Sequence, residues 1–307
     1  MLHNNKGLFE QVILRTADDL GINPAIIEKD YYVTLFLKEI VKVYPDIIFK
    51  GGTSLSKCHK LIHRFSEDID LNIDTENKPT EGQRKKLKEA IVSVIDSLGF
   101  TLTNPNDVRS RRSYNKYIVD YDTVFGTQYL KENLIVETSV YIRAYPSVRM
   151  NASSFIHDYL QKSGFDHLIE EYGLQPFELN VQSKERTLID KVFALGDYYL
   201  DNKVTEHSRH LYDLYKLFGV VELNAEMREL VKEVAEERKH HQACLSAQDG
   251  IELKALIQEI IDQDIYKNDY ETITSGLLFE EVKYSAIKYF LYCLYGFCVR
   301  YFLKKQS

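Results

Sequence analysis

The residues of this sequence best suited to chemistry are two aspartates separated by one apolar residue, Asp68 and Asp70, in the stretch FSEDIDLNID (65–74). Acidic residues alternate here with isoleucine and leucine, which is typical of a half-buried strand, although aspartate is disfavoured in strands. Residues two apart on a strand share a face and lie roughly 6–7 Å apart. Because such carboxylates repel each other, they favour a divalent cation such as Mg²⁺, which also leaves coordination sites for phosphate and water.

Two other interpretations of this stretch are an edge strand and a calcium loop. Charged residues on an edge strand prevent aggregation, and this interpretation stays open at this point. In a calcium loop beginning at Asp68, the sixth position requires glycine and the twelfth requires glutamate. The sequence has Ile73 and Pro79 at those positions. A calcium loop is therefore excluded.

A glycine turn lies just upstream of the aspartates, in IFKGGTSLSK (48–57). Backbone N–H groups, hydroxyls and a helix dipole at such a turn suit a phosphate. The residues concerned are Gly51, Gly52, Thr53 and Ser54. The stretch is not a Walker A loop, because it lacks the second glycine before its lysine. A phosphate turn beside paired carboxylates indicates phosphoryl transfer.

The elements that must position these residues alternate between helix and strand in the first half of the chain. Apolar spacing predicts a helical region at 7–43, a strand at 47–49, a helix after the glycines, a strand from Asp68, a helix at 81–99 and a strand at 134–142. From about residue 150 the pattern is mainly helical. The break near Pro146 is the predicted domain boundary and divides the chain into residues 1–147 and 148–307.

The composition indicates a globular protein without a global preference for nucleic acid. The 307 residues are 44% hydrophobic and 28% charged, with a formal net charge of −7. A basic surface must therefore be local. QRKKLK (83–88) and RSRRSYNK (109–116) are candidates, the second with Tyr114 available for stacking on RNA bases. Such stretches are also commonly only solvated, so both interpretations stay open.

The cysteines and the apolar segments indicate a cytoplasmic location. The four cysteines match no zinc or disulfide pattern, so we expect reduced thiols. The first residues lack the apolar run of a signal peptide. The segment YFLYCLYGFCV (289–299) is shorter than the ~20 residues that span a bilayer. We expect a buried C-terminal helix there and no membrane partner.

The motifs together resemble a known family. GGTSL followed by RFSEDIDL resembles the nucleotidyltransferase signature, in which a glycine turn and a helix precede Asp-x-Asp on the next strand. The residues of these two stretches are most similar to those of the AbiEii (MenT-like) toxin nucleotidyltransferases. The segments IEKDYYVTLFL, ERTLIDKVFAL and RHLYDLYKL resemble the same family. The resemblance implies a bilobal α+β (α/β) fold. Residues 1–147 would form a nucleotidyltransferase domain with a mixed β-sheet flanked by helices, and residues 148–307 a mainly helical domain that contributes to the active site.

The resemblance also implies a set of catalytic residues. In such enzymes the residues matching Asp68 and Asp70 hold two metal ions, usually Mg²⁺, with Mn²⁺ as the alternative. A third carboxylate on a neighbouring strand commonly completes the set, and Glu137 in LIVETSVYI is the candidate. It would bind metal or accept the proton of the attacking hydroxyl. By the same resemblance, Lys191 binds the triphosphate and Asp213 belongs to the active site.

Each of the three residues last named also has a purely structural interpretation. Glu137 could lie on a solvated strand face, and Lys191 could extend its stem beside an apolar helix stripe. Asp213 could pair with Arg209 one helical turn earlier. The residues expected to bind the nucleotide are Gly51, Gly52, Thr53, Ser54, Lys57, Arg64 and Lys191, with His63 as a secondary candidate.

The function implied by the resemblance is transfer of a nucleoside monophosphate from an NTP to RNA, at the 3′ end of tRNA. The protein would be the toxin of a toxin–antitoxin or phage-defence system, with NTP, tRNA and a cognate antitoxin as partners. Two alternatives stay open. One is a nucleotidyltransferase that modifies a protein or a small molecule, and the other is a catalytically silent relative that only binds. The presence of every required carboxylate argues against the silent relative.

Overall fold

The computed structural model describes residues 1–75, 77–126 and 133–302. Within it, a mixed sheet of seven strands is formed by segments between Ile47 and Gln182. The strands are β1 (Ile47–Lys50), β2 (Ile69–Ile73), β3 (Thr101–Leu102), β4 (Tyr114–Asp120), β5 (Leu134–Ser139), β6 (Ser147–Ala152) and β7 (Phe177–Gln182). Their order is β3-β4-β5-β2-β1-β7-β6. The β1–β7 and β2–β5 pairs are parallel and the others antiparallel. The sheet and its helices confirm the α+β class.

Helices make up most of the remaining described chain. They are α1 (Lys6–Leu20), α2 (Pro24–Val43), α3 (Gly51–Lys57), α4 (Glu81–Ser97), α5 (Phe155–Lys162), α6 (Asp166–Tyr172), α7 (Lys184–Leu200), α8 (Arg209–Phe218), α9 (Ala225–Lys239), α10 (Leu253–Asp262), α11 (Lys267–Asp269), α12 (Ser275–Leu277) and α13 (Tyr284–Tyr301). A π-helical turn (Tyr270–Thr274) connects α11 to α12.

The chain forms two compact units whose boundary differs from the predicted one. The first unit contains residues 1–60 and 66–182, and the second contains residues 61–65 and the described chain from Ser183 onward. The boundary predicted after residue 147 is therefore corrected to Gln182. The physical reason is that β6 and β7, which follow residue 146, complete the sheet, with β7 pairing in parallel with the central strand β1.

In the first unit, β1 and β2 lie at the centre of the sheet, and this position accounts for their composition. Ile47, Ile48 and Phe49 of β1 are almost completely buried. Phe36 and Ile40 of helix α2 belong to the same apolar core. The buried carboxylate of Glu28, also in α2, accepts hydrogen bonds from residues 123–125, which satisfies backbone N–H groups of that loop. The well-packed centre of the sheet thus holds the glycine turn and the aspartates in place.

Helix α13 in the second unit confirms the expected buried C-terminal helix. Leu291, Leu294 and Phe297 are buried along one face, whereas Tyr289 and Tyr292 are exposed on the other. α13 packs against α8 and α10. Among the described residues, no helix is both long and apolar enough to span a bilayer.

The structure adds detail to two sequence-based expectations for secondary structure. The helical region 7–43 is two helices, because Gly21 adopts a left-handed conformation (φ 65°) that ends α1. Asn23 then caps α2 by accepting a hydrogen bond from the Ala25 N–H. The region from residue 150 is mainly helical as expected, but it also contains β7 and the second half of β6. The alternating polar residues of β6 lie on a largely exposed edge strand.

Candidate functional site

A row of four charged residues, two adjacent carboxylates between two lysines, crosses the centre of the sheet. Asp70 on β2 is in register with Glu137 on β5 and with Lys50 on β1. Lys116 on β4 is in register with Glu137. Residues in register on neighbouring strands share a face and lie about 5 Å apart. One face of the sheet therefore carries Lys116, Glu137, Asp70 and Lys50 side by side, and we call these four residues the charged row.

The glycine turn touches the charged row at Asp70. Gly51 has a φ of 79°, a conformation that L-residues rarely adopt. A Cβ atom at this position would lie 2.0 Å from Asp70 Oδ2. The carboxylate therefore occupies the space that a side chain at position 51 would need. Glycine is required here for both its backbone conformation and this close approach.

The other predicted residues of the turn form helix α3, and two of them have side-chain partners within the first unit. The Ser54 hydroxyl donates to the Gly51 carbonyl oxygen at 2.8 Å. Thr53 Oγ1 lies 2.9 Å from the Ser66 hydroxyl. The first bond closes the turn on itself, and the second connects it to the segment that leads into Asp68. The glycine turn and the aspartate strand thus form one local structure.

Glu137 lies among polar neighbours on the charged row. Lys116 Nζ is 3.3 Å from Glu137 Oε1. Burial raises the pKa of the neighbouring Tyr114 hydroxyl, and the charge of Glu137, a hydrogen bond with it and the charge of Asp70 raise that pKa further. The Tyr114 hydroxyl therefore stays protonated and can donate to a carboxylate. Glu137 is half-buried and held in place rather than freely solvated.

The carboxylates fit a magnesium ion that substrate phosphates help to bind. Among the residues that the structure describes, no group of three or more His, Cys, Asp or Glu side chains is placed to hold a metal ion. Mg²⁺ does not need such a cage, since one or two carboxylates and substrate phosphates commonly bind it. Asp68 and Asp70 offer these hard oxygen ligands, and the Asp70 carboxylate rests in the space left open at Gly51.

Lys57, predicted to bind nucleotide, has partners within the first unit. Its ammonium group donates to Asp30 Oδ1 and to Thr34 Oγ1, at 2.5 and 2.6 Å. Asp30 Oδ2 also accepts from the Phe155 N–H at the start of α5. The Lys57 side chain is only 5% exposed. These contacts give Lys57 a role in packing α3 against α2 and α5.

The second unit contains a separate buried ion cluster, formed by Arg64, Lys191, His210 and Asp213. Arg64 donates two hydrogen bonds to the Asp213 carboxylate, both at 2.7 Å. Lys191 Nζ lies 2.7 Å from Asp213 Oδ2. The partner predicted for Asp213 on structural grounds was Arg209, but Arg64 and Lys191 take that position. The structure thus brings three of the predicted residues together around one carboxylate.

Burial and charge set the protonation states in this cluster. Burial alone would raise the pKa of Asp213, but Arg64 and Lys191 override this and hold the pKa below its ordinary value. Burial lowers the pKa of His210 well below its ordinary value, and the charges of Lys191 and Arg209 lower it further. His210 is therefore neutral and accepts from the Lys191 ammonium at Nδ1, at 3.4 Å.

The sequence matches a protein-family model over most of its length. The model "Nucleotidyl transferase AbiEii toxin, Type IV TA system" matches residues 36–290, which contain both the charged row and the ion cluster. The protein belongs to the AbiEii nucleotidyltransferase toxin family. No curated protein matches the sequence.

A solved structure supports the fold of this AbiEii chain. The chain is similar to MenT4, a nucleotidyltransferase toxin from Mycobacterium tuberculosis H37Rv, with a TM-score of 0.53 and 17% sequence identity. The match covers 97% of this chain and 90% of the MenT4 chain. At this identity the likeness shows a shared fold, and the expectation of a nucleotidyltransferase fold is confirmed.

Three residues of the AbiEii chain's candidate site were not found from the sequence. Lys50 and Lys116 join the charged row only through strand register, which the sequence does not display. His210 lies within the RHLYDLYKL motif, but its contact with Lys191 depends on how α7 and α8 pack. The one available signal was that Lys50 directly precedes the glycine turn.

We predict that Gly51→Ala abolishes most nucleotidyl transfer while leaving the fold intact. The new methyl group would displace the Asp70 carboxylate, and a displacement of about 1 Å costs about a hundredfold in rate. The measurement is the steady-state transfer rate, alongside circular dichroism melting. The control is Gly7→Ala on α1, where a Cβ meets no atom within 4 Å. Wild-type activity of Gly51→Ala would contradict the prediction.

We further predict that Asp213→Asn lowers the free energy of unfolding by about 3–5 kcal/mol at pH 7, because it leaves buried cations unpaired. The folded-state pKa of Asp213 is below its unfolded value of about 3.9, so the pair stabilises the fold above that pH and loses its effect as the pH falls below it. Urea unfolding at pH 7 and pH 3 should show a smaller difference at pH 3.

The control for this experiment is Asp201→Asn, whose partner is Lys203 and whose side chain is 50% exposed. An exposed pair is worth less than about 1 kcal/mol, so this variant should unfold like the wild type. An equal loss of stability for Asp213→Asn at both pH values would show that the charge of Asp213 does not stabilise the fold.

Proposed function

We propose that this AbiEii nucleotidyltransferase transfers a nucleoside monophosphate from an NTP to the 3′ end of tRNA, supported by Mg²⁺ or Mn²⁺. The observation that carries the proposal is the charged row itself, in which Asp70 rests against the glycine turn and beside Glu137. Carboxylates for a metal ion and a turn for phosphate are thereby adjacent, as phosphoryl transfer requires. The toxin would act in the cytoplasm, in phage defence, with a cognate antitoxin as its partner.

The proposed reaction gives each residue of the site a role. Asp68 and Asp70 hold the metal ion, which when bound neutralises phosphate charge and helps to align the triphosphate. Glu137 accepts the proton of the attacking RNA hydroxyl, whose oxygen forms a bond to the α-phosphorus. The bond between the α-phosphorus and the bridging oxygen breaks, and pyrophosphate leaves with the electron pair. Residues 51–54 contact the phosphates through backbone N–H groups and hydroxyls.

In the second unit, we propose that Asp213 and His210 hold the Lys191 ammonium in one orientation as a ligand of the triphosphate. Arg64, predicted to bind nucleotide, is 3% exposed and donates to Asp213 and to the Phe65 carbonyl oxygen. We therefore assign Arg64 a positioning role. It orients the shared carboxylate and anchors the segment 61–65.

A basic surface on the first unit supports RNA as the acceptor. It consists of the exposed residues Lys85, Lys86, Arg109, Arg111 and Arg112. The two basic stretches of the sequence, which are over twenty residues apart, meet in this surface. Helix α4 contacts the loop before β4 through two bonds, one from Arg111 to Glu81 at 2.9 Å and one from Lys88 to the Val108 carbonyl oxygen at 3.1 Å.

Tyr114 connects the basic surface to the charged row. It follows Arg112 by two residues, is 43% exposed, and lies near enough to Glu137 for the charge of that residue to raise the Tyr114 pKa. An exposed aromatic ring is a stacking platform for a single-stranded base. An RNA end that binds the arginines through its phosphates could therefore stack a base on Tyr114 beside the carboxylates. This arrangement favours a nucleic acid acceptor over a small molecule.

We predict that the wild-type protein, incubated with total RNA, Mg²⁺ and each labelled NTP in turn, transfers label to tRNA and that Asp68→Ala abolishes the signal. The Asp68 carboxylate is needed to hold the metal ion, so its loss should remove transfer without unfolding the protein. Gel electrophoresis and 3′-end sequencing identify the labelled RNA. Label found in protein or in a small molecule would show that this molecule, and not RNA, is the acceptor. No transfer under any condition would favour a silent binding protein.

We also predict that the triple variant Arg109→Gln, Arg111→Gln, Arg112→Gln raises the KM for RNA at least about tenfold, with the KM for NTP unchanged. Phosphate contacts release counterions, so the salt dependence of RNA binding should fall by up to about two units of slope. The control is Lys42→Gln, Lys162→Gln, Lys232→Gln, which removes the same charge from exposed positions elsewhere. Equal effects of both triple variants would contradict the assigned surface.

A further inference from the structure

Lys50 is the residue of the charged row whose presence the fold does not explain. It ends β1, a central strand flanked by β2 and β7. Charged residues on edge strands prevent unwanted pairing, but a central strand has no free edge to protect. The rest of β1 is buried and apolar. A lysine at this position is therefore not explained by the protection of a sheet edge.

The ammonium group of Lys50 forms no hydrogen bond or ion pair with the part of the chain that the structure describes. The other lysine of the row, Lys116, pairs with Glu137. Lys50 precedes α3, but its side chain makes no capping bond. It is nevertheless half-buried, so its stem is held against the protein, while its ammonium group forms no ion pair with the described residues.

The neighbours of Lys50 define the ligand that its charge suits. In register with Lys50 is Asp70, about 5 Å away across the strands, and the next residue is Gly51. A ligand at this position must therefore be an anion, and it must be able to bind the same metal ion as the neighbouring carboxylates. A lysine ammonium is a compact point charge with three donors and binds phosphate well. A polyphosphate satisfies all these conditions.

We propose that Lys50 binds the part of the triphosphate that leaves as pyrophosphate. This inference rests on the proposed function and adds a substrate-binding residue to it. Asp68 and Asp70 would hold the metal ion, and Lys50, one strand away from Asp70, contacts the β- and γ-phosphates. The charge on these phosphates grows as the bond to the α-phosphorus breaks, so Lys50 also stabilises the leaving group.

Binding of pyrophosphate in the presence of Mg²⁺, measured by isothermal titration calorimetry, tests this proposal without any RNA. Lys50→Met, which keeps the length of the side chain and removes its charge, should raise the Kd at least about tenfold. Lys50→Arg, which keeps the charge, should retain most of the affinity. The control is Lys42→Met, whose ammonium pairs with Glu39 on the same helix, and it should bind like the wild type.

Transfer kinetics distinguish a phosphate-binding role of Lys50 from a purely structural one, because only the former predicts a selective change in the KM for NTP. Lys50→Met should raise the KM by a similar factor for all four NTPs, because the contact is to phosphate and not to base. The KM for RNA should be unchanged. Unaltered pyrophosphate binding by a folded Lys50→Met protein, or no pyrophosphate binding by the wild type, would overturn the proposal.

Acetylation of the wild-type protein by an N-hydroxysuccinimide ester tests Lys50 without any substitution. Mass spectrometry should show that Mg²⁺–pyrophosphate protects Lys50 and leaves Lys42 reactive, and equal labelling of Lys50 with and without the ligand would overturn the proposal. Failure of the two proposals can be distinguished. Lys50-dependent pyrophosphate binding without transfer would overturn only the transfer function, whereas transfer with Lys50-independent binding would overturn only the role of Lys50.

Discussion

The contact between the Asp70 carboxylate and the backbone of Gly51 is the constraint on which the rest of the candidate site depends. It requires a residue without a side chain at position 51, in a left-handed conformation, directly after a central strand. It also requires the β1–β2 register that places Lys50 opposite Asp70. A shift of this register by one residue would turn Asp70 to the other face of the sheet. The apolar residues buried on both strands prevent such a shift.

The two units use charge in different physical settings. On the first unit, the charged row is half-exposed, so its partners can exchange when a metal ion or a phosphate binds. In the second unit, Asp213 is fully buried between Arg64 and Lys191. Removing any one of these charges would leave another unpaired in a low-dielectric interior, which is costly. We therefore expect substitutions in the charged row to change ligand binding, and substitutions in the buried cluster to change the free energy of unfolding.

The sequence predicted the elements that carry strong apolar patterns. Strands β1, β2 and β5 and helix α4 lie within a few residues of their predicted positions, because their buried residues recur at strand or helix spacing. Strands β3, β4, β6 and β7 were not predicted. β6 is an edge strand with largely exposed side chains, so its residues carry little periodic signal. The first compact unit extends past residue 147 to Gln182 because β6 and β7 belong to its sheet.

Local sequence also could not decide which cations face the site. Lys57 follows the glycine turn closely, yet α3 directs it to Asp30 of α2. Lys50 directly precedes the same turn and lies beside Asp70. Proximity along the chain therefore did not distinguish a packing lysine from one placed at the carboxylates.

The sequence by itself determined the family and the glycine turn, because these depend on residues a few positions apart, and it predicted that Asp68 and Asp70 act together. Only the tertiary structure decided that Glu137 and Lys50 flank Asp70, that two distant basic stretches form one surface, and that Asp213 pairs with Arg64. These contacts join residues far apart in the chain. Their positions follow from strand register and helix packing, which the burial of apolar side chains across the whole fold determines.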